Sequence, residues 1–161
     1  MQPTLILGLG NPIMSDDGLG SHACQQLQRW YGTLPDVVVF DGETLGLHLL
    51  PQLVGVANLL MVDAVVTDDP PGSLVRLEGE AITAGMARQL SLHHVGLAEL
   101  LALGSLEGAM PSRCVLWGMV PARLELGTAL SATVAARLPA LLDAVAAELQ
   151  GWGIARQDRD A

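Results

Sequence analysis

Three short, purely apolar runs constrain the fold of this chain more than any other feature. They cover Thr4–Leu7, Val37–Phe40 and Leu59–Val62, and segments of helical length separate them. Apolar character that is continuous, rather than alternating, is typical of strands buried on both faces, as in parallel sheets. The sequence therefore predicts an α/β fold of three layers: a mostly parallel, twisted sheet of about five strands with helices on both faces.

Further elements complete this predicted domain. Cys114–Val120 is predicted to be another strand, and Ser73–Leu77 a short edge strand after the turn signal at Asp68–Gly72. The helical segments are expected at Ser21–Trp30, Leu45–Val54, His93–Leu103 and from the capping residue Ser131 to about Leu149. Gly79–Leu92 has only weak helical character and is predicted to be a long, mobile active-site loop.

Composition and charge exclude several classes of partner. The 161 residues carry 17 acidic and 8 basic side chains, a net charge of −9, whereas nucleic acids and anionic membranes bind a positive face. Two cysteines make no disulfide framework, and no apolar stretch approaches the roughly 18 residues of a membrane helix. We expect one cytoplasmic domain over residues 1–161, with no leader, no membrane insertion, no nucleic-acid partner and a frayed tail at 151–161.

Two adjacent carboxylates, Asp16 and Asp17, lie where the first predicted strand gives way to a helix, within the glycine-rich loop Gly8–Gly20. In an open α/β sheet this is the edge of the crevice where ligands usually bind. Helix capping explains one aspartate, and the second then requires another role because the two side chains point in different directions. Nucleotide binding is disfavoured, because the loop lacks the third glycine of the dinucleotide fingerprint and any nearby basic residue.

Further polar residues are predicted near the same edge. Asp41 and Asp63 end the second and third strands, and parallel strands place their carboxyl ends on one side of a sheet. Asp41 alternatively serves as a turn residue before Gly42. His93 and His94 begin a predicted helix, where the dipole favours neutral, metal-binding imidazole, although neighbouring side chains diverge and only one is expected to reach the site. Two carboxylates and one imidazole make an incomplete coordination set for a divalent first-row metal.

Other catalytic chemistries lack support in the sequence. Cys24 and Cys114 are predicted to be core residues rather than nucleophiles. No serine lies in a nucleophile-elbow setting, and no zinc-protease His-Glu-x-x-His motif is present.

The order of these motifs resembles that of the hydrogenase maturation endopeptidases, which process the large subunit of nickel–iron hydrogenases. The similarity runs from about Leu5 to Leu149. The matching stretches are Gly8–Asn11, Asp16–Gly20, Asp41–Gly46, Val62–Ala64, Pro71–Leu74, Ser91–Leu97, Gly118–Pro121 and Gly127–Ser131. Two positions depart from the pattern: Asp17 replaces a glutamate found in many relatives, and Glu43 stands where a second glycine usually follows Gly42.

The resemblance implies a peptidase domain that removes the C-terminal peptide from the nickel-loaded large-subunit precursor. It implies that Asp17, Asp63 and His93 bind nickel, which the precursor supplies, and that no organic cofactor is needed. For the hydrolytic step, either the metal polarises the carbonyl or water, or an aspartate acts as general base, with Asp41 and Asp16 available beside Asp17.

Two other functions stay open at this point. One is a non-proteolytic, nickel-handling accessory protein of hydrogenase assembly, and the other is a small-molecule binder that uses the glycine-rich loop. If the protein is a peptidase, the loop before His93 and the loop at Pro121–Gly127 are candidates for contacting the protein substrate, because both have apolar content.

Overall fold

Five strands form one sheet in a computed structural model that describes residues 2–86, 108 and 110–158. The strands are β1 (Thr4–Gly8), β2 (Val37–Asp41), β3 (Asn58–Ala64), β4 (Leu74–Glu78) and β5 (Arg113–Met119). Their order is β2-β1-β3-β5-β4; the first four in this order pair in parallel, and β4 pairs antiparallel with β5 at the edge. The predicted, mostly parallel sheet and its short edge strand are confirmed.

Helices cover both faces of the sheet. They are α1 (Leu19–Tyr31), α2 (Leu50–Leu53), α3 (Glu80–Met86) and α4 (Ala132–Gly151), with 3-10 helices at Ser15–Gly18 and Gly46–Leu49. On one face, α1 and α4 bury Leu27 and Val145 against Ile6 of β1. On the other, Leu53 of α2 and Ile82 of α3 belong to a second hydrophobic cluster. The three predicted layers are thus present.

The three apolar runs differ in how much of each is buried. Every residue of β1 and β3 is buried, as the continuous apolar pattern predicts. In β2 the prediction of burial on both faces is wrong, because Val38 is exposed and only Val37 is fully buried. The reason is position, since β2 lies at the edge of the sheet and pairs only with β1.

The last helix begins at its predicted cap. The Ser131 hydroxyl oxygen accepts a hydrogen bond from the backbone N–H of Val134 at 3.3 Å, and α4 runs on to Gly151. An N-cap serine satisfies one of the orphan N–H groups of the first turn. No helix within the described ranges is both long and apolar enough to cross a bilayer.

The segment predicted to be a long loop at 79–92 begins with a helix. Residues Glu80–Met86 form α3, and Ile82 of this helix is buried in the second hydrophobic cluster. The loop prediction is therefore wrong for these residues. Residues 87–92 and the predicted helix at 93–103, with His93 and His94, lie outside the described residues.

The segment after α4 packs against α1, so the predicted fraying is wrong for residues 151–157. Ile154 is fully buried in the cluster shared by α1 and α4. The backbone N–H of Gln157 donates to the carbonyl of Trp30 at 3.0 Å, and the Arg156 guanidinium lies 4.6 Å from the centroid of the Trp30 ring. Polar composition suggested a free tail, but one isoleucine and these contacts fix the segment in place.

We predict that Ile154→Ala lowers the free energy of unfolding by roughly 2–5 kcal/mol, the usual cost of removing a buried aliphatic side chain. Urea unfolding monitored by circular dichroism measures this. Val54→Ala is the matched control, because Val54 is an exposed β-branched residue outside regular structure, and its loss should change stability little. Equal stability of Ile154→Ala and the wild type would mean that the segment contributes nothing to the core.

Candidate active site

The loop that leaves β1 is fixed between the ends of its two neighbouring strands. The backbone N–H of Leu9 donates to the carbonyl of Val62 at 2.9 Å, and the N–H of Gly10 donates to the carbonyl of Glu43 at 2.9 Å. Glu43 has a φ of 47°, in the left-handed region that favours glycine. The carboxyl ends of β1, β2 and β3 therefore meet at one edge of the sheet.

Two of the candidate residues, Asp17 and Asp63, both approach Gly10. Its φ is 110°, a backbone conformation in which side chains are strained. A Cβ atom at this position would collide with the backbone carbonyl of Asp17 and lie 3.1 Å from Oδ1 of Asp63. The absence of a side chain at Gly10 thus leaves room for both the backbone of Asp17 and the carboxylate of Asp63, which come from different segments of the chain.

The two carboxylates of this pair differ in their surroundings. Asp17 is half-buried, and its Oδ2 accepts a hydrogen bond from the backbone N–H of Asn11 at 3.0 Å. Asp63 is fully buried, and its Oδ1 accepts from the N–H of Ala64 at 2.8 Å. Within the described ranges no three histidine, cysteine or carboxylate side chains group as a metal site, and the third predicted ligand, His93, lies outside those ranges. The described residues therefore include two of the three predicted ligands, and both are carboxylates.

Asp16 points away from this pair and into the protein. Asp16 is 0% exposed, and its two carboxylate oxygens accept hydrogen bonds from three residues of the segment 121–131, which follows β5. The donors are the N–H of Ala122 (2.9 Å), the N–H of Arg123 (2.8 Å), the N–H of Ser131 (2.7 Å) and the hydroxyl of Ser131 (2.8 Å). Burial alone would raise the pKa of Asp16, but these hydrogen bonds outweigh it and hold the pKa below its ordinary value of 3.8.

The turn that carries Asp16 is joined to residues 121–131 along its length. The N–H of Ser15 donates to the carbonyl of Gly127 at 2.8 Å, and the N–H of Gly127 donates to the carbonyl of Ile13 at 2.9 Å. The hydroxyl of Ser15 donates to the carbonyl of Glu125 at 2.7 Å. We call these contacts and those of the Asp16 carboxylate the Asp16 cluster.

A structural role therefore replaces the catalytic role considered for Asp16. A buried carboxylate with four hydrogen-bond donors and a lowered pKa is a poor proton acceptor, and no substrate can reach it. Sequence reasoning missed Ser131 as its partner. The two residues are 115 positions apart, and nothing local to Ser131 signals more than a helix cap.

Asp41 lies on the α1 side of the sheet. Its Oδ1 accepts a hydrogen bond from the hydroxyl of Ser21 on α1 at 2.9 Å, and it helps to line a cavity of about 280 Å³ with Cys24. In β3, Leu59 and Met61 pack in the cluster on the opposite face, and Asp63 follows them at the strand period of two. The structure thus brings Asp17 and Asp63 to the same glycine, Gly10, and turns the Asp41 carboxylate toward the other face of the sheet.

Comparisons with known proteins decide the family. Residues 21–148 match the hydrogenase maturation protease family. The hydrogenase 2 maturation protease of Escherichia coli (strain K12) is 33% identical over 159 residues, covering 98% of this chain and 96% of that protein. This chain belongs to the hydrogenase maturation protease family.

Other relatives of this maturation protease agree. The hydrogenase expression/formation protein HupD of Rhodobacter capsulatus is 35% identical over 152 residues, covering 93% of this chain and 72% of that protein. The solved structure of the hydrogenase maturating endopeptidase HybD from E. coli superposes with a TM-score of 0.93 at 30% identity and covers 98% of each chain. The resemblance inferred from the motifs is confirmed, and the protein is a hydrolase of this class.

The thiols of this maturation protease are unsuited to nucleophilic catalysis. Burial and the charge of Asp41 raise the pKa of Cys24 to about 12, and burial raises that of Cys114 to about 11. Both cysteines are free and buried, so their prediction as core residues is confirmed. The candidate chemistry of the described residues therefore rests on carboxylates.

We predict that Asp16→Asn lowers the free energy of unfolding by about 2–4 kcal/mol at neutral pH, because an amide group cannot accept all four hydrogen bonds. Since the folded-state pKa is lowered, this stabilisation is present above the unfolded-state pKa, near 3.8, and is lost as the pH falls through the folded-state value. Urea unfolding at several pH values measures both effects. The control is Asp143→Asn, at an exposed carboxylate on α4; a difference between the variants that does not shrink at low pH would contradict the prediction.

Gly10→Ala tests the close approach at the carboxylate pair. Gly55→Ala is its control, because Gly55 also has a positive φ, of 77°, but a Cβ there meets no atom within 4 Å. Backbone strain alone should cost the control roughly 1–2 kcal/mol. Gly10→Ala should cost at least about 3 kcal/mol, because strain is joined by overlap with the backbone of Asp17. Equal unfolding free energies for the two variants would show that the turn accommodates a methyl group.

Proposed function

We propose that this protein removes the C-terminal peptide from the nickel-loaded large-subunit precursor of a nickel–iron hydrogenase. Membership of the hydrogenase maturation protease family supports a protein substrate from hydrogenase assembly. The observation that carries the proposal is the convergence of Asp17 and Asp63 on Gly10, at the crevice edge where an α/β sheet usually binds its ligand. The free state of both cysteines is in keeping with action in the cytoplasm.

Recognition of the substrate's nickel is the second part of the proposal. Asp17 and Asp63 would contribute one carboxylate each, and His93 an imidazole, which is a ligand set suited to divalent first-row metals. Three protein ligands leave coordination positions for the groups with which the precursor itself holds the nickel. Full burial of Asp63 and the hydrogen bond between Asn11 and Asp17 fix these oxygen donors, and fixed donors favour a defined metal position.

For bond cleavage, we propose that the substrate's nickel polarises the scissile carbonyl or an attacking water. The alternative general bases are less well placed. Asp16 is saturated with hydrogen bonds inside the protein. Asp41 accepts a hydrogen bond from Ser21 on the α1 side, away from the face on which Asp63 lies.

The test is incubation of the purified protein with nickel-loaded and nickel-free precursor, with product analysed by mass spectrometry. We expect a single cut that releases a C-terminal peptide from the nickel-loaded form alone. Asp17→Ala, Asp63→Ala and His93→Ala should each reduce the rate by at least about 100-fold, because an incomplete ligand set no longer positions the metal. The control, Asp143→Ala, removes an exposed carboxylate on α4 and should process at the wild-type rate.

Each contrary result removes one part of the proposal. Efficient cutting of nickel-free precursor would remove recognition through the metal, and an uncut nickel-loaded precursor would favour an accessory role without proteolysis. Asp41→Asn separates the two hydrolytic schemes. Processing by this variant within about tenfold of wild type supports activation by the metal, whereas complete loss with intact precursor binding would make Asp41 the general base.

A further inference from the structure

Exposed apolar side chains are concentrated at the edge of the sheet that carries Asp17 and Asp63. Seven large hydrophobic residues are exposed in the described part of the chain. Five of them lie in segments that follow the carboxyl ends of strands: Ile13, Leu45, Val66, Leu124 and Leu126. Single exposed apolar residues are ordinary on protein surfaces, but their grouping at one edge marks a site of interaction.

Three of these residues lie on the two segments that the Asp16 cluster joins. Met14 and Gly127 form a parallel β-bridge, and Ile13 and Leu126 each precede one residue of this bridged pair. Ile13 is 51% exposed, Leu126 is 79% exposed, and Leu124, two residues earlier, is 46% exposed. We call Ile13, Leu124 and Leu126 the apolar rim.

The apolar rim is attached to the turn that holds the candidate nickel ligand. The backbone N–H of Asn11 donates to the carboxylate of Asp17, and the side-chain oxygen of Asn11 accepts from the N–H of Ile13 at 3.1 Å. The N–H of Asp17 donates to the carbonyl of Met14 at 3.1 Å. One short turn therefore fixes both the carboxylate and the first residue of the rim.

Backbone and side-chain hydrogen bonds also hold the two segments of the rim together. The hydrogen bonds of Ser15 and Gly127 join its two segments, and the buried carboxylate of Asp16 binds the backbone on the amino-terminal side of Leu124. Ser15 has a φ of 53°, a strained conformation for a residue with a side chain. Apolar groups fixed in advance lose little conformational freedom when a partner covers them.

We propose that the apolar rim binds an apolar segment of the precursor next to the bond that is cut. This inference rests on the proposed function and adds a substrate-binding surface to it. The choice of occupant follows from position, because a protein segment whose nickel reaches Asp17 passes over the turn that displays Ile13. The three rim side chains are apolar and exposed, so their burial against an apolar segment provides the binding free energy at this contact.

The experiment measures processing of nickel-loaded precursor by the wild type, Leu126→Ser and the double variant Ile13→Ser/Leu126→Ser. Leu126→Ser should raise KM roughly tenfold and leave kcat within about twofold, since the lost contact lies outside the bond-breaking step. The double variant should raise KM further. Val54→Ser is the matched control, because Val54 is 70% exposed and leads into the start of β3, at the opposite edge; its KM should equal that of the wild type.

Surface plasmon resonance with immobilised nickel-loaded precursor gives a reading that does not depend on cleavage. If the wild type binds but does not cut, the proposed function fails, and a roughly tenfold weaker Kd for Leu126→Ser would still support the rim. If the wild type cuts and both KM and Kd are unchanged in Leu126→Ser, the rim proposal is overturned and the proposed function stands. Sedimentation velocity identifies the other occupant: a wild-type dimer that Leu126→Ser converts to monomer, with unchanged KM, would overturn the proposal in favour of a second copy of this chain.

Discussion

The parallel pairing of β1 with β3 is the constraint on which the rest of the structure depends. The chain passes from β1 across one face to β2, then across the other face to β3, so that β1 lies between its two successors. This reversal opens a crevice at the carboxyl ends of the strands. The hydrogen bond from Leu9 to Val62 continues the pairing beyond β1 and carries Gly10 past Asp63. The backbone of Asp17 and the carboxylate of Asp63 therefore both reach Gly10, although the two residues belong to different crossover units.

Asp16 and Asp17 are adjacent but differ in their surroundings. The turn that carries them directs Asp16 into the interior and leaves Asp17 half-buried at the crevice edge. Asp16 is ionised in the interior, where four donors offset the cost of removing its charge from water. This interaction fixes the loop at 121–131 against the turn and so determines where Asp17 and the apolar rim lie. Asp17 stays half-buried at the crevice edge, and Asp16 maintains the loop around it.

The sequence predicts best those elements whose formation depends on residues close together in the chain. Continuous apolar runs identified β1 and β3, and Ser131 was recognised as a cap because the helix that follows it is amphipathic. The positions of the strand ends predict that Asp17 and Asp63 lie at the same edge of the sheet. The exposure of Val38, the burial of Ile154 and the four contacts of Asp16 were not predictable, because each depends on which distant segment lies alongside. The face of the sheet on which the Asp41 side chain lies was also not predictable, because it depends on how β2 packs against α1.

The long sequence separation within the Asp16 cluster has a consequence for biosynthesis. The partners of Asp16 lie 106 to 115 residues further along the chain, so a nascent polypeptide exposes this aspartate for most of its translation. Asp17, on the same turn, also leaves the ribosome well before the segment at 121–131 that fixes this turn. The turn that carries Asp17 can therefore reach its final form only after residues 121–131 have been synthesised.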